Sequence, residues 1–221
     1  MGAAPPRPEE LPDCFPVFPL AGALLLPRGR LPLHIFEPRY LALTDDALAG
    51  GRMFGMIQPD PRRPAGRTGP GLYRVGCLGR IAAFSETEDG RYLITLAGLI
   101  RFAVVEELPL RRGYRRVRAV LAHFAADLAP PPAEACCDRA ALLAALRGYF
   151  AQRNIEANWT AIAGMAEEAL ITTLAMACPF DPAEKQALLE AATAAERAAA
   201  LHTLLAIDAS ADLAPGATWA S

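Results

Sequence analysis

Four prolines interrupt the most apolar stretch of this chain. Between Phe15 and Phe36 the hydrophobic run is broken at Pro16, Pro19, Pro27 and Pro32, and charged at Arg28 and Arg30. Proline has no backbone N–H to donate and its ring clashes with the preceding turn, so no helix runs through such spacing. The stretch is therefore not a membrane helix, although its length alone would suffice. What remains reads as two short strands, Cys14–Leu20 and Leu31–Phe36. Prolines inside strands favour edges and bulges, which puts both at the rim of a β structure. The loop between them, Ala21–Arg30, carries Gly22, Pro27 and Gly29.

Glu37-Pro38 then opens a helix, with proline pre-set for the first helical position; it runs to about Leu48 and stops at Gly50-Gly51. Met53–Gln58 is a strand. Pro59–Gly71 holds four prolines, three glycines and three arginines, a composition that makes it an exposed, mobile loop. Leu72–Phe84 and Tyr92–Glu106 read as long strands joined by a turn at Glu88-Asp89-Gly90, and Tyr114–Phe124 as a further one. Gly76, Gly79 and Gly98 within these strands point to bulges or sharp corners.

After a proline linker at Ala129–Pro132 the pattern turns helical. Leu142, Leu143, Leu146, Tyr149 and Phe150 recur at helical period within Ala140–Phe150, and a second helix spans about Ala161–Ala177. Asp181-Pro182-Ala183-Glu184 is a capping-box start, repeated at Thr193-Ala194-Ala195-Glu196 for a last helix ending near Ile207. The expected class is α+β. A β subdomain covers 13–125 and contains one helix; a subdomain of about four helices covers 133–208; residues 1–12 and 209–221 are flexible tails.

Charge divides the chain at the same place. Residues 1–123 hold 17 Arg against 12 acids, a balance of +5; residues 124–221 hold four Arg and Lys185 against 12 acids, a balance of −7. The first half is mildly basic, and the overall charge of −2 names no partner. Five cysteines, Cys14, Cys77, Cys136, Cys137 and Cys178, form no CxxC, and the three histidines are scattered singly. No metal site and no cofactor is expected. Reduced thiols and an N-terminus without an apolar signal core point to the cytoplasm.

Several strings in this order resemble the N-terminal, substrate-binding domain of the Lon protease family. They begin with Phe15–Leu20, Leu24–Gly29 and Leu33–Tyr40, similar to that family's "P-L-F-P-L" strand, "P-G" turn and "L-x-I-F-E-P-R-Y" helix entrance. Met53–Ile57, Tyr73–Ile81, Leu96–Phe102 with its "L-x-G-x-x-R-F" pattern, Gly113-Tyr114 and Glu184–Glu190 with "K-Q-x-L-L-E" follow. Cys77 stands where the family usually has Thr. The resemblance covers roughly residues 14–207. It implies a PUA-like β pseudo-barrel followed by a helical bundle. Glu37, Pro38, Arg39, Tyr40, Gly98, Arg101 and Phe102 are then motif residues with a structural role; of the first four, which hold the barrel closed, Glu37 can cap the helix and Arg39 and Tyr40 can reach back to the strands.

A complete Lon protease also carries an ATPase and a serine–lysine peptidase module, and neither pattern occurs within these 221 residues. No phosphate-binding loop is present. Lys185 follows Glu184 in the first turn of a capped helix, where water would surround it, so a Ser–Lys dyad with Ser85, Ser210 or Ser221 is not expected. The resemblance implies a non-catalytic module that recognises unfolded or partly folded polypeptides, or a protease or chaperone partner. Exposed apolar residues at the rim, Phe15, Phe18, Leu25, Phe54 and Met56, would supply the contacts together with the Pro59–Gly71 loop. The competing reading of these five is barrel core. The alternative function is RNA binding: Arg111, Arg112, Arg115 and Arg116 could track phosphates while Tyr114 stacks a base. The competing reading of that run is a solvated hairpin. DNA and membrane partners are not expected.

Overall fold

The computed structural model describes residues 7–130 and 137–211. These form two compact units, one of residues 7–130 with Met176–Glu190, the other of 137–175 and 191–211. The expected tails at 1–6 and 212–221, the end of the proline linker and Cys136 lie outside the described residues.

The first unit holds six strands and a helix: β1 (Cys14–Pro19), β2 (Arg30–Ile35), α1 (Pro38–Ala49), β3 (Met53–Ile57), β4 (Val75–Glu86), β5 (Tyr92–Arg111) and β6 (Tyr114–Val120). The sheet order is β2-β5-β4-β3-β1-β6, and β6 pairs again with β5, so five strands close on themselves while β2 lies outside the ring. Only β1 and β3 run parallel. β5 is the strand that makes closure possible. Its first half pairs with β2 and β4, and its second half with β4 and β6. Bulges against both β4 and β6 bend this 20-residue strand around the ring.

Of the two proline-broken strands, only β2 lies at an edge. β1 sits between β3 and β6, which corrects the rim position expected for it. Pro16 is tolerated there because pairing with β3 begins one residue later, at Val17. The segment 7–12 is also not a loose tail: Pro8–Glu10 forms a 3-10 turn, and Leu11 packs into the core beside Phe15 and Leu121. The last strand ends at Val120, short of Phe124, and the chain enters a 3-10 segment, Ala122–Leu128.

Three glycines of the ring are places where backbone meets a neighbour with no room for a methyl group. At Gly76 and Gly55 an added Cβ would stand 2.4 Å and 2.7 Å from carbons of the Phe102 ring, which packs edge-on against Phe15 at 5.0 Å. At Gly98 the same atom would lie 2.0 Å from the carbonyl oxygen of Leu26. Gly98 instead exchanges two backbone hydrogen bonds with Arg28 and Gly29, each 2.9 Å. The Leu24–Leu26 segment is thereby fastened, fully buried, across the ring.

One ion pair is buried beneath this closure. Arg101 of β5 and Asp127 of the 3-10 segment have side chains only 5% and 9% exposed. The guanidinium Nε and Nη2 donate to the two carboxylate oxygens at 2.9 Å, and the Arg101 backbone N–H adds a third bond of 2.9 Å. The Phe124 ring covers the guanidinium at 4.8 Å. Arg101 Nη1 also donates to the carbonyl of Leu189 at 3.2 Å. That residue belongs to α5 (Pro182–Glu190), a helix expected in the helical subdomain that packs instead with the barrel. Its polar residues explain why. Lys185 Nζ donates to the carbonyls of Gly22 and Met176, and Gln186 Nε2 to that of Val75. Gln58 Nε2 donates to the Pro182 carbonyl and to Gln186 Oε1. The expectation that Lys185 is solvated is therefore corrected: it is buried, and desolvation pulls its pKa below the usual lysine value.

The second unit contains α2 (Arg139–Gln152), α3 (Trp159–Gly164), most of α4 (Glu167–Ala177) and α6 (Ala194–Ala211). Leu142, Leu146 and Tyr149 are the buried face of α2. The single helix expected over Ala161–Ala177 is two, because Met165 adopts an extended conformation after Gly164. Arg139 bridges that break, donating to the carbonyls of Ile162, Ala163 and Met165. No described helix is long and apolar enough to cross a membrane.

Two stability predictions follow from this packing. Asp127→Ala leaves the Arg101 guanidinium buried without its counter-charge and is expected to cost about 3–5 kcal/mol by chemical denaturation; a loss under about 1 kcal/mol would show that the pair is dispensable. Gly98→Ala must push the Leu26 backbone aside and is expected to cost at least about 2 kcal/mol, where an ordinary strand glycine gains slightly from alanine.

Candidate functional site

The five apolar residues expected at an exposed rim are all core. Phe15, Leu25, Phe54 and Met56 are at most 2% exposed and Phe18 is 7% exposed. Their exposure is corrected because β1 and β3 are covered on both faces. Phe15 points into the ring against Phe102; Phe18, Phe54 and Met56 share the opposite face, beneath Tyr40 of α1; and Leu25 packs over Gly79 and Gly98. Phe18 stacks on Tyr40 with ring centroids 3.8 Å apart, which is how α1 is held to the barrel. Burial raises the Tyr40 phenol pKa. Arg39, by contrast, does not reach the strands. It lies exposed over the Tyr40 ring and pairs with Glu37 at 2.8 Å, while the Glu37 side chain makes no capping hydrogen bond.

Four of the five arginines of the basic run already have acidic partners in the fold. Asp46 on α1 gathers Arg111 at 3.2 Å, Arg112 at 2.8 Å and the Tyr114 hydroxyl at 2.6 Å. Arg115 is buried against Glu107 at 2.7 Å and donates to the Pro70 carbonyl at 2.7 Å. Arg118 pairs with Glu106, and Arg116 lies half-buried in the ladder opposite Pro16 and Leu108. Tyr114, expected as a stacking platform, is 1% exposed and closed to a base. Its role is to anchor α1 across the β5–β6 hairpin. The Pro59–Gly71 loop is exposed at its tip yet fastened at its base by Asp60 N–H to Gly71 carbonyl, 2.8 Å, and by Arg63 Nη1 to Leu72 carbonyl, 2.8 Å.

Exposed apolar side chains gather elsewhere, on the outer face of β2, β5 and β4. Residues directly opposite in a sheet share a face, so the register defines three rows: Arg30, Ala97 and Arg80; Pro32, Thr95 and Ala83; His34, Leu93 and Ser85. Leu93 is 47% exposed, and Phe36, just past the end of β2, is 59% exposed with its ring edge-on to His34 at 5.8 Å. None of these ten residues is acidic. The other side of the same strands carries Ile35, Ile81, Ile94 and Leu96, all buried. The signal for this face was present in the alternation Arg30-x-Pro32-x-His34-x-Phe36, whose even positions face water.

No group of His, Cys, Asp and Glu among the described residues is arranged to hold a metal ion. Lys185 is committed to two backbone carbonyls and Ser85 lies on the outer sheet face. The chemistry on offer at the β2–β5–β4 face is contact with apolar side chains and with anions. The Asp46 network supplies a pH prediction. Burial, then the Asp46 carboxylate, push the Tyr114 phenol up to about 12, and the Tyr114 hydroxyl lowers the Asp46 pKa. A raised phenol pKa contributes stability that is whole below the ordinary tyrosine value near 10 and lost as pH rises towards 12. Tyr114→Phe is expected to cost about 1–2 kcal/mol at pH 7 and to flatten the decline in stability across that alkaline window, read by urea denaturation at each pH.

Comparison with known proteins agrees with this architecture. Residues 15–206 match the family described as the ATP-dependent protease La (LON) substrate-binding domain. Lon protease 2 of Myxococcus xanthus is 32% identical over 101 residues, 44% of this chain and 12% of that protease. Lon protease 2 of Sorangium cellulosum is 32% identical over 118 residues, 52% of this chain and 14% of that protease. The matched stretch is thus a small part of those relatives' length. Among solved structures, a Lon N-terminal domain protein from Xanthomonas campestris superposes with a TM-score of 0.56 at 24% identity, covering 87% of this chain and 97% of that one. The N-terminal domain of Mycobacterium avium complex Lon protease gives 0.57 at 17% identity with the same coverage. At such identities the likeness concerns the fold, an α+β arrangement of a six-stranded sheet, closed through five of its strands, with a helical part. With the family match running over residues 15–206, this chain belongs to the Lon substrate-binding domain family.

Proposed function

We propose that this chain is a non-catalytic module that recognises unfolded or partly folded polypeptides in the cytoplasm, and works in protein quality control beside a protease or chaperone partner. Membership of a family of substrate-binding domains supports the reading. The observation that carries it is the outer face of β2, β5 and β4, where Phe36 and Leu93 are about half exposed beside His34 and Ser85. Apolar side chains on a soluble surface are ordinary one at a time; grouped on one sheet face they favour a partner. Extended, unfolded segments present apolar side chains that folded proteins mostly bury.

The other exposed apolar side chains do not join this face: Phe84 lies on the opposite side of β4, edge-on to Tyr92, and Leu20 follows the end of β1. Val105 and Leu110 lie along the second half of β5, among the Glu106–Arg118 and Glu107–Arg115 pairs, and Ile207 stands on α6. An apolar segment docking there would strip water from charges at a cost.

The test is binding of a permanently unfolded polypeptide, such as a reduced and alkylated protein, measured by fluorescence anisotropy against its native form. Covering the exposed parts of Phe36 and Leu93 is worth about 1 kcal/mol each. Phe36→Ser with Leu93→Ser should therefore weaken binding at least about tenfold, while stability moves by no more than about 0.5 kcal/mol each, as at other exposed sites. Equal binding of native and unfolded forms would contradict the reading.

A further inference from the structure

The charges at one end of the same face specify what kind of segment it takes. Arg30 and Arg80 stand opposite Ala97 from its two sides. Neighbouring strands are about 4.8 Å apart, so the two backbones are about 10 Å apart with a small side chain between them. Two arginine side chains can converge over that gap on one carboxylate. Both residues are exposed, and neither takes part in an ion pair among the described residues; Arg80 Nη2 rests 3.9 Å from the Met53 sulfur on the β3 side, a weak contact it gives up to swing towards Ala97 and Arg30. This sets them apart from Arg101, Arg111, Arg112, Arg115 and Arg118, each of which has an acidic partner.

At the other end of the face are Leu93 and Phe36. Leu93 is four residues from Ala97 on β5, about 13 Å along a strand. In an extended segment, side chains four positions apart also point the same way at about 13 Å. The segment lies across the face and does not extend the sheet, because Pro32 removes a donor from the middle of the β2 edge.

Building on the polypeptide-binding reading above, we propose that this face selects extended segments carrying an apolar residue and an acidic residue four positions apart. The apolar side chain lies on Leu93 and Phe36, and the carboxylate is held between Arg30 and Arg80. The occupant is an acidic–apolar polypeptide rather than a second copy of the same face, since two copies would oppose like charges or set arginine on an apolar patch.

The experiment uses the full chain and labelled nonapeptides on a Ser/Thr background. One has Phe and Glu four positions apart, one has Lys in place of Glu, and one has Glu moved to the third position, on the opposite side of the strand. The expected result is that the Phe/Glu peptide with four-residue spacing binds at least about tenfold tighter than either control at low salt. The difference should close at high salt, and also in Arg30→Ser with Arg80→Ser, with Arg80→Ser alone intermediate. Equal affinity for the Glu and Lys peptides, or a preference that survives in the double variant, would overturn this inference and leave polypeptide binding standing. If no peptide and no unfolded protein binds, both fall together.

Discussion

A charged residue in the middle of an apolar strand has to find a partner inside the protein, and Arg101 does so at three levels. Its guanidinium meets Asp127 face to face, its own backbone N–H meets the same carboxylate, and its remaining nitrogen holds the end of α5 through Leu189. Three segments far apart in sequence are joined at one buried point: the long strand that closes the ring, the 3-10 segment after the last strand, and a helix some sixty residues further on. A buried ion pair is not in itself a large source of stability. What it does is fix geometry, because a guanidinium satisfied on so many sides has one arrangement.

The glycines complete that constraint. Gly98 lets Leu26 lie against β5, and Gly55 and Gly76 make the slot for Phe102, the residue next to Arg101. The pattern Leu96-x-Gly98-x-x-Arg101-Phe102 is thus a packing instruction: backbone contact, ion pair and ring in sequence along one strand. With β5 fixed in this way, its first half projects past the ring to carry β2, and the outer face of β2, β5 and β4 is left to solvent. The face available for binding exists because the closure of the barrel uses only part of the longest strand.

Much of this was legible in the sequence, and what was missed has physical causes. Strand and helix positions followed from proline and glycine punctuation and from apolar period. The position of β1 did not, because a proline can sit inside a sheet wherever the neighbouring strand has not yet begun, and register is not written locally. The aromatic residues of β1 and β3 gave no sign of which way they point in a strand paired on both sides. Lys185 looked solvated because a first-turn lysine beside Glu184 normally is; its carbonyl partners, Gly22 and Met176, lie outside its helix. Asp127 lies in a segment with no local pattern to mark it, although Arg101 within an apolar strand implies an acid somewhere. The outer face was readable in the alternation of β2, but only the pairing with β5 and β4 gathers those residues with Leu93, Ala83 and Arg80.

Unfolded polypeptides are proposed to meet this protein on the outer face of β2, β5 and β4. Amide hydrogen exchange with and without a saturating unfolded polypeptide tests it most directly. New protection is expected at residues 30–37, 80–86 and 92–97 and nowhere else. Protection falling instead on the Pro59–Gly71 loop or along α6, with those three segments unchanged, would contradict it.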